Sequence, residues 1–222
     1  MSNYEAKSHY KDEQVAQDYN AQYRSPLGLS NFRARLVGWG ETRAFQKILR
    51  SVPANGSVLD VACGTGRYSK LLLDHGYTVT GIDISEHMLY YAREITKDYS
   101  NLRGFQVGDA ANLPFDNNQF DGISCIRLYQ RIPAEHRQIM LREVKRVARH
   151  WAILFFGMSS TWLNIRQALR QKIISGRPNN PNAITIAEMK NELEKAQLTL
   201  QDSTWVFPGL ASGMIIRVSS DG

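Results

Sequence analysis

From Ser57 onward, short apolar runs alternate with longer segments whose apolar residues recur at helical spacing. The short runs are rich in β-branched residues and are bounded by glycine or polar positions, as strands buried on both faces are. These runs are SVLDVAC, YTVTGID, LRGFQVGDA, FDGISCIRL and WAILFFG. The segments with helical spacing are RYSKLLLDHG, ISEHMLYYAREITK and AEHRQIMLREVKRVARH. This alternation predicts a parallel sheet with helices on both faces.

The two ends of the chain have other patterns. The first fifty residues predict two helices separated by a break at Ser25–Gly28. Thr185 and Glu188 form a capping-box pattern that opens a late helix, and LTLQDSTWVF and ASGMIIRVS then predict two strands joined through Pro208-Gly209. We therefore expect an α/β fold with a doubly wound seven-stranded sheet, mostly parallel with a C-terminal antiparallel hairpin. Residues 1–50 would form an N-terminal helical cap on a domain of residues 51–222.

Composition and cysteine usage narrow the class of protein. With 222 residues, of which 43% are hydrophobic, the chain can bury one full core. Cys63 and Cys125 both lie in apolar runs, so we expect buried thiols in a reducing, cytoplasmic compartment rather than a disulfide. The polar N-terminus predicts no targeting segment, and the longest apolar run, WAILFFGM, is too short to cross a bilayer.

Positive charge is concentrated in one part of the chain. The segment from Arg127 to Arg177 contains eleven Lys or Arg residues and two Glu, which accounts for the whole net charge of +6. One interpretation is the solvated face of a helix, because the charges are interleaved with apolar residues at helical spacing. The other is an attraction for an anion, such as a phosphorylated metabolite, a nucleic acid or an acidic membrane surface.

The stretch DVACGTGRYS places two glycines between a predicted strand and a predicted helix. Gly64 and Gly66 allow positive φ angles and let a ligand approach the backbone where a Cβ would otherwise stand. The first N–H groups of the following helix point toward such a ligand. The turn is therefore a candidate binding site for a small ligand.

Acidic residues near the ends of the next two strands indicate which ligand. Asp83 stands 17 residues beyond Gly66, where a carboxylate can accept hydrogen bonds from both hydroxyls of a ribose. Asp109 and Ala110 follow the third strand, where an acidic group can meet an exocyclic amine such as adenine N6. The phosphate-binding lysine of a P-loop is missing, so an adenosine without phosphates fits better than a nucleotide.

Taken in order, VLDVACGTGRYS, GIDIS, GDAANLPFDNNQFD and ISCIRL resemble the motifs of Rossmann-like class I S-adenosylmethionine-dependent methyltransferases of the small-molecule "methyltransferase 11" type. The resemblance implies S-adenosylmethionine as cofactor and methyl transfer to an oxygen or nitrogen of a small molecule. It further implies four groups of cofactor contacts, around the methionine part, the ribose, the adenine and the sulfonium. These are Asp60, Ala62, Gly64 and Gly66 for the methionine part, Asp83 for the ribose, Ile84, Met88, Asp109 and Ala110 for the adenine, and Cys125 to Arg127 beneath the sulfonium. Met88 could equally be an ordinary core residue.

The acceptor site in this fold lies above the fourth strand, where the chain reads CIRLYQRIPAEH. Related sequences often have a histidine there, and this chain has Tyr129-Gln130-Arg131 instead. We assign Arg131 to an anionic group of the acceptor and Tyr129 to its orientation, with a helix cap or surface position as the alternative for each. No acidic cluster follows this strand, so no metal site is predicted and the reaction is expected to be metal-independent.

The first helix has an aromatic face of its own. Tyr19 and Tyr23 lie four residues apart, and Arg24 follows them. We expect Tyr19 to cover a bound sulfonium and Arg24 to pair with the cofactor carboxylate, so that the helix closes over the site as a lid. Packing of the tyrosines against the sheet is the alternative.

Two other functions remain open. An RNA methyltransferase would use the basic segment as its footprint, although no separate RNA-binding module is left over and nucleic acid is not the expected partner. An enzyme that transfers the aminocarboxypropyl group of the same cofactor, or cyclises the cofactor's own chain, would have identical cofactor motifs.

Overall fold

The computed structural model describes residues 12–24, 29–159, 182–207 and 213–220, with the backbone alone for residues 19, 20, 22–24 and 29–34. Two helices come first, α1 (Glu13–Arg24) and α2 (Leu29–Leu49). The elements that follow are β1 (Ser57–Val61), α3 (Arg67–Asp74), β2 (Thr78–Asp83), α4 (Glu86–Thr96), β3 (Leu102–Val107), β4 (Phe120–Cys125), a 3-10 helix (Tyr129–Arg131), α5 (Ala134–Val147), β5 (Ala148–Gly157), α6 (Ile186–Lys195), β6 (Thr199–Trp205) and β7 (Gly213–Ser219). The predicted break at Ser25–Gly28 and the Pro208-Gly209 connection lie outside the described residues.

All seven strands form one sheet, in the order β3-β2-β1-β4-β5-β7-β6. The first five are parallel to one another, and β7 runs antiparallel to both β5 and β6. The predicted fold class, including the C-terminal antiparallel hairpin, is therefore confirmed. The chain moves outward from β1 to β3 and then returns to β4 on the other side of β1, so the strand order reverses between β1 and β4. In open α/β sheets the crevice at the carboxyl ends of such strands is where ligands bind.

Neighbouring residues of a strand enter two separate cores, one on each face of the sheet. Val58 belongs to one apolar cluster and Leu59 to the other, and Ile153 and Leu154 on β5 divide in the same way. This follows from the two-residue repeat of a strand and explains why the strands have continuous apolar sequences. Helices α2 and α3 cover one face, and α5 and α6 cover the other.

Helix α2 is partly integrated into the sheet's core. Four residues of its second half, Ala44, Phe45, Ile48 and Leu49, are buried in the same cluster as Val58 and Leu72. Phe45 and Tyr68 also pack edge to face with their ring centroids 5.0 Å apart. The predicted division at residue 50 stays a prediction, and any movement of a cap would involve α1 and the beginning of α2.

Local signals in the sequence correspond to observed chain ends. Thr185 and Glu188 form the predicted capping box at the start of α6. Gly76, with φ of 85°, follows the end of α3, as expected for a glycine at a helix terminus. Both cysteines are free and buried. Among the described helices, none has the length and apolar character needed to span a bilayer.

Candidate functional site

The turn between β1 and α3 has three residues in the left-handed region, Ala62, Gly64 and Gly66, with φ of 54°, 55° and 80°. Gly66 is required for packing, because a Cβ there would lie 2.9 Å from the Cα of Ala92 on α4. Gly64 is different, since a Cβ added to it would meet nothing within 4 Å. The turn therefore leaves open space beside Gly64, at the crevice between β1 and β4.

Asp60 on β1 is a carboxylate in the interior, with 1% of its surface exposed. Its Oδ2 accepts a hydrogen bond of 2.6 Å from the Ser69 hydroxyl. Burial raises the pKa of Asp60 to about 7, and the negative charge of Asp83 raises it further, while the hydrogen bond from Ser69 lowers it. The charged form of Asp60 is therefore poorly stabilised by the protein itself.

Asp83 at the end of β2 forms a hydrogen bond with the backbone of the glycine turn. Its Oδ2 accepts a hydrogen bond of 2.8 Å from the Gly64 N–H, and its Oδ1 accepts one of 3.0 Å from the Ser85 N–H. Burial nevertheless raises its pKa, against the effect of these backbone donors. Within the part of the chain that the structure describes, neither Asp83 nor Asp60 has an ion-pair partner.

The predicted adenine contacts lie beyond β2 and β3. Ile84, Asp109 and Ala110 are half-buried and so are within reach of a ligand at this edge of the sheet. The Asp109 side chain accepts a hydrogen bond of 3.0 Å from the Ala111 N–H, which fixes the loop after β3. Met88 is 3% exposed, and its N–H is capped by Ser85, so it lies in the interior at the start of α4.

The residues predicted beneath the sulfonium are the last residue of β4, Cys125, and the two residues that follow it. Cys125 is fully buried, and burial together with the nearby Asp60 charge raises the pKa of its thiol. Arg127 has a φ of 69°, which is unusual for a residue with a side chain. Strain of this kind tends to accumulate at functional sites, and here it occurs on both sides of the β1/β4 crevice, at Ala62 and at Arg127.

The two predicted acceptor residues have different environments. Tyr129 is 1% exposed, and its ring stacks on Phe156 with the centroids 5.1 Å apart. Burial raises the pKa of its hydroxyl well above the ordinary value. Arg131 is half-buried, and burial lowers the pKa of its guanidinium. The orienting role of Tyr129 and the anion-binding role of Arg131 stay predictions.

The structure brings one further residue to the crevice, Glu41 on α2. It is 3% exposed, and its Oε2 lies 3.7 Å from Nη1 of both Arg67 and Arg127. The sequence contained a signal for this position, because Glu41 lies four and seven residues before the buried Phe45 and Ile48 and so shares their helical face. The side chains of Tyr19 and Arg24 on α1, which were predicted to contact the cofactor, lie outside the described residues.

Most of the described basic side chains of this segment, between Arg127 and Arg149, are paired within the protein. Arg137 forms a buried ion pair of 2.6 Å with Glu192 on α6. Arg146 forms an ion pair of 2.7 Å with Glu143, and Arg149 forms one of 2.8 Å with Asp121. These contacts favour a structural role for the described part of the segment and give no support to an anion footprint; residues 160–181 lie outside the described residues.

The sheet order, the crevice between β1 and β4 and the glycine turn together define the class I, Rossmann-like methyltransferase fold. Residues 58–150 match the family model described as "Methyltransferase domain". In this segment and in its fold, the chain is similar to class I S-adenosylmethionine-dependent methyltransferases.

Individual proteins with similar sequences and structures carry related names. The chain is 31% identical over 147 residues to the 2-methyl-6-phytyl-1,4-hydroquinone methyltransferase of Synechocystis, a match that covers 66% of this chain and 41% of that protein. It is 37% identical over 82 residues to the ubiquinone biosynthesis O-methyltransferase of Coxiella burnetii, over 37% of this chain and 35% of that protein. The chain thus spans less than half the length of these relatives.

A solved structure has the same fold over nearly the whole chain. The magnesium protoporphyrin IX methyltransferase of Synechocystis with bound SAH (S-adenosylhomocysteine) superposes with a TM-score of 0.77 and covers 96% of this chain and 97% of its own. The sequence identity is 16%, so this likeness concerns the fold alone.

Proposed function

We propose that this protein binds S-adenosylmethionine in the β1/β4 crevice and transfers its methyl group to a small-molecule acceptor. The observation that carries the proposal is the pair of buried carboxylates, Asp60 and Asp83, beside the open space at Gly64. Two buried acids without a described cation raise the free energy of the folded protein. A ligand with an ammonium, a sulfonium and two ribose hydroxyls supplies what both carboxylates lack.

Different residues would bind different parts of the cofactor. Asp60 and the backbone from Ala62 to Gly66 would hold the methionine part, and Asp83 would accept the ribose hydroxyls. Ile84, Asp109 and Ala110 would contact the adenine. When bound, the cofactor supplies an electrophilic methyl group, so the protein's contribution is to align the acceptor and to exclude water.

A small molecule with a ring hydroxyl and an anionic group is the acceptor class that we propose. The names of the two sequence relatives refer to hydroquinone methylation and to O-methylation in ubiquinone biosynthesis. In this chain the half-buried guanidinium of Arg131 follows β4, and an anionic group of the acceptor would form a charge-assisted hydrogen bond with it. O-methylation of a phenol or a hydroquinone carboxylate is therefore the first reaction to assay, and N-methylation the next.

The identity of the cofactor product tests the reaction. Incubation with S-adenosylmethionine and a panel of phenolic acids, followed by mass spectrometry, should yield S-adenosylhomocysteine and an acceptor 14 mass units heavier, the mass of an added CH2. Methylthioadenosine in its place would mean aminocarboxypropyl transfer or cyclisation. Methylation of RNA but of no small molecule would mean the RNA alternative. Failure to bind either form of the cofactor would remove the proposal altogether.

Asp83→Ala should weaken the binding of S-adenosylmethionine by about 1.5–3 kcal/mol, the contribution of hydrogen bonds to a charged group. Isothermal titration calorimetry measures the loss directly. Asp98→Ala, at an exposed acid two residues after the end of α4, is the matched control and should bind normally. An unchanged dissociation constant in folded Asp83→Ala would contradict the assignment of Asp83 to the ribose.

Removal of residues 1–28 should leave the protein folded and reduce its affinity for S-adenosylmethionine about tenfold or more, because α2 and its buried residues remain while α1 is lost. In the intact protein, hydrogen exchange of residues 12–24 should slow when the cofactor is added. Equal protection of α1 with and without cofactor would mean that this helix packs against the protein without acting as a lid.

A further inference from the structure

Glu41 is the one buried acid near the crevice that has cations beside it among the described residues. Its Oε2 lies 3.7 Å from Nη1 of Arg67 and 3.7 Å from Nη1 of Arg127. The Tyr68 hydroxyl donates a long hydrogen bond of 3.5 Å to the same oxygen. Arg67 also donates to the Gly38 carbonyl and the Thr42 hydroxyl, so α2 is fastened to the start of α3 at this point.

The two arginines come from the two chain segments that border the crevice. Arg67 directly follows Gly66 of the glycine turn, and Arg127 follows β4 in its left-handed conformation. Strands β1 and β4 are neighbours, with Asp60 in register with Ser124. A single carboxylate from the N-terminal helix therefore bridges two cations at the crevice where the cofactor is proposed to bind.

This arrangement has an electrostatic consequence for a positively charged ligand. Two guanidiniums beside the crevice repel a sulfonium, and a neighbouring negative charge offsets part of that repulsion. With Glu41 ionised, the three side chains carry a net charge of +1; with Glu41 neutral, they carry +2. The difference acts on the sulfonium of the methyl donor, whereas the thioether of the demethylated product has no charge for it to act on.

We propose that Glu41 is a positioning residue that holds Arg67 and Arg127 and offsets their charge, so that the crevice retains the sulfonium form of the cofactor in preference to the thioether form. The inference rests on the proposed function, because it needs the cofactor to occupy this crevice. No side chain on α2 was predicted from the sequence to influence the donor.

The test compares two ligands on one protein. At pH 8, Glu41→Gln should weaken the binding of S-adenosylmethionine about five- to tenfold more than that of S-adenosylhomocysteine, because the variant removes one negative charge that attracts the sulfonium at an effective dielectric constant of about 20. Isothermal titration calorimetry gives both constants. Glu194→Gln, on the exposed side of α6, is the control and should leave both unchanged. Equal weakening of the two ligands would overturn the proposal, because a purely structural contribution does not distinguish them.

The pH dependence gives a second readout. Burial raises the pKa of Glu41 to about 7, against the lowering effect of Arg67 and the Tyr68 hydrogen bond. In the wild type, the preference for S-adenosylmethionine should fall as the pH decreases from 8 to 6, because Glu41 takes up a proton. The charged and titratable groups that face Glu41 among the described residues are Arg67, Tyr68 and Arg127. Asp60 titrates in the same range, so the contribution of Glu41 is the part of this trend that Glu41→Gln loses, and an identical trend in both proteins counts against it.

Arg127→Gln covers the case in which Glu41→Gln does not fold. Removal of one of the two cations should shift the preference in the opposite direction, toward S-adenosylmethionine, by a similar factor. Glutamine meets the same left-handed backbone as arginine, so the strain is matched. An unchanged preference in this variant contradicts the inference. If the wild type binds neither ligand, the proposed function fails instead.

Discussion

Asp60→Asn should make the ligand-free protein more stable at pH 8, by about 2–4 kcal/mol, and should remove most of its affinity for S-adenosylmethionine. The folded-state pKa of Asp60 is raised from 3.8 to about 7, so between these values the folded protein binds the proton more tightly than the unfolded chain does. The stability that this proton confers is fully present below about pH 4 and is lost as the pH rises through 7. Asparagine is neutral at every pH and avoids the loss.

Urea denaturation at pH 5 and pH 8 measures the first effect. The stabilisation by Asp60→Asn should be less than half as large at pH 5, because the wild-type carboxyl there is mostly protonated in the folded state. Asp98→Asn is the control at an exposed position and should show neither change. A variant that is equally or less stable than the wild type at pH 8 would show that the buried carboxylate has a partner that compensates its charge.

Proton release on cofactor binding gives a second measure of the protonation state of Asp60. Addition of S-adenosylmethionine to the wild type at pH 6 should release protons, because a bound ammonium favours the ionised form of Asp60. Calorimetry in buffers of different ionisation enthalpy detects this release. Asp60→Asn should bind the cofactor at least tenfold more weakly and release fewer protons.

Gly66→Ala should mainly lower the stability of the protein, whereas Gly64→Ala should mainly lower its affinity for the cofactor. At Gly66 the new methyl group would meet the backbone of Ala92 at 2.9 Å with φ at 80°, so α4 must shift. We expect a loss of about 2–4 kcal/mol in the free energy of unfolding, from overpacking and from a left-handed residue with a Cβ together. At Gly64 the methyl group meets nothing within 4 Å, and only the backbone cost of about 1 kcal/mol remains.

For cofactor affinity we expect the opposite order: in the folded protein, Gly64→Ala should weaken binding more than Gly66→Ala does. The methyl group of Gly64→Ala enters the open space of the crevice and should weaken S-adenosylmethionine about tenfold or more, since that space is where the ligand approaches the backbone. Thermal denaturation and calorimetry on the two variants give both quantities. If Gly64→Ala binds normally, the open space beside Gly64 is not part of the cofactor site.

Much of the fold could be predicted from the sequence because its signals are local. The strands were recognisable as short apolar runs, and the capping box at Thr185 marked the start of α6. The glycine turn could be placed between β1 and α3 because a strand-to-helix turn with left-handed residues has few sequences available. The predicted role of Asp83 began from the same turn, and the structure adds that its carboxylate also holds the Gly64 N–H.

The environment of the Tyr129 side chain could not be predicted from the sequence in the same way. From the sequence it was a polar side chain in the loop above β4, available to an acceptor. In the structure its ring stacks on Phe156 in the core, because the 3-10 helix turns it toward β5. The direction of a side chain in an irregular segment depends on its neighbours in space, and those come from distant parts of the chain.

The sequence by itself determined the elements, their order and the position of the glycine turn, since periodicity, capping and backbone freedom act over a few residues. Tertiary structure decided the rest. It inserted β7 between β5 and β6, and it buried Asp60 and Asp83 without a described cation. It also brought Glu41 on α2 to Arg67 and Arg127, which lie 26 and 86 positions further along the chain. These features depend on which faces pack together, and packing sets the local dielectric environment and the distances between charges that no short stretch of sequence contains.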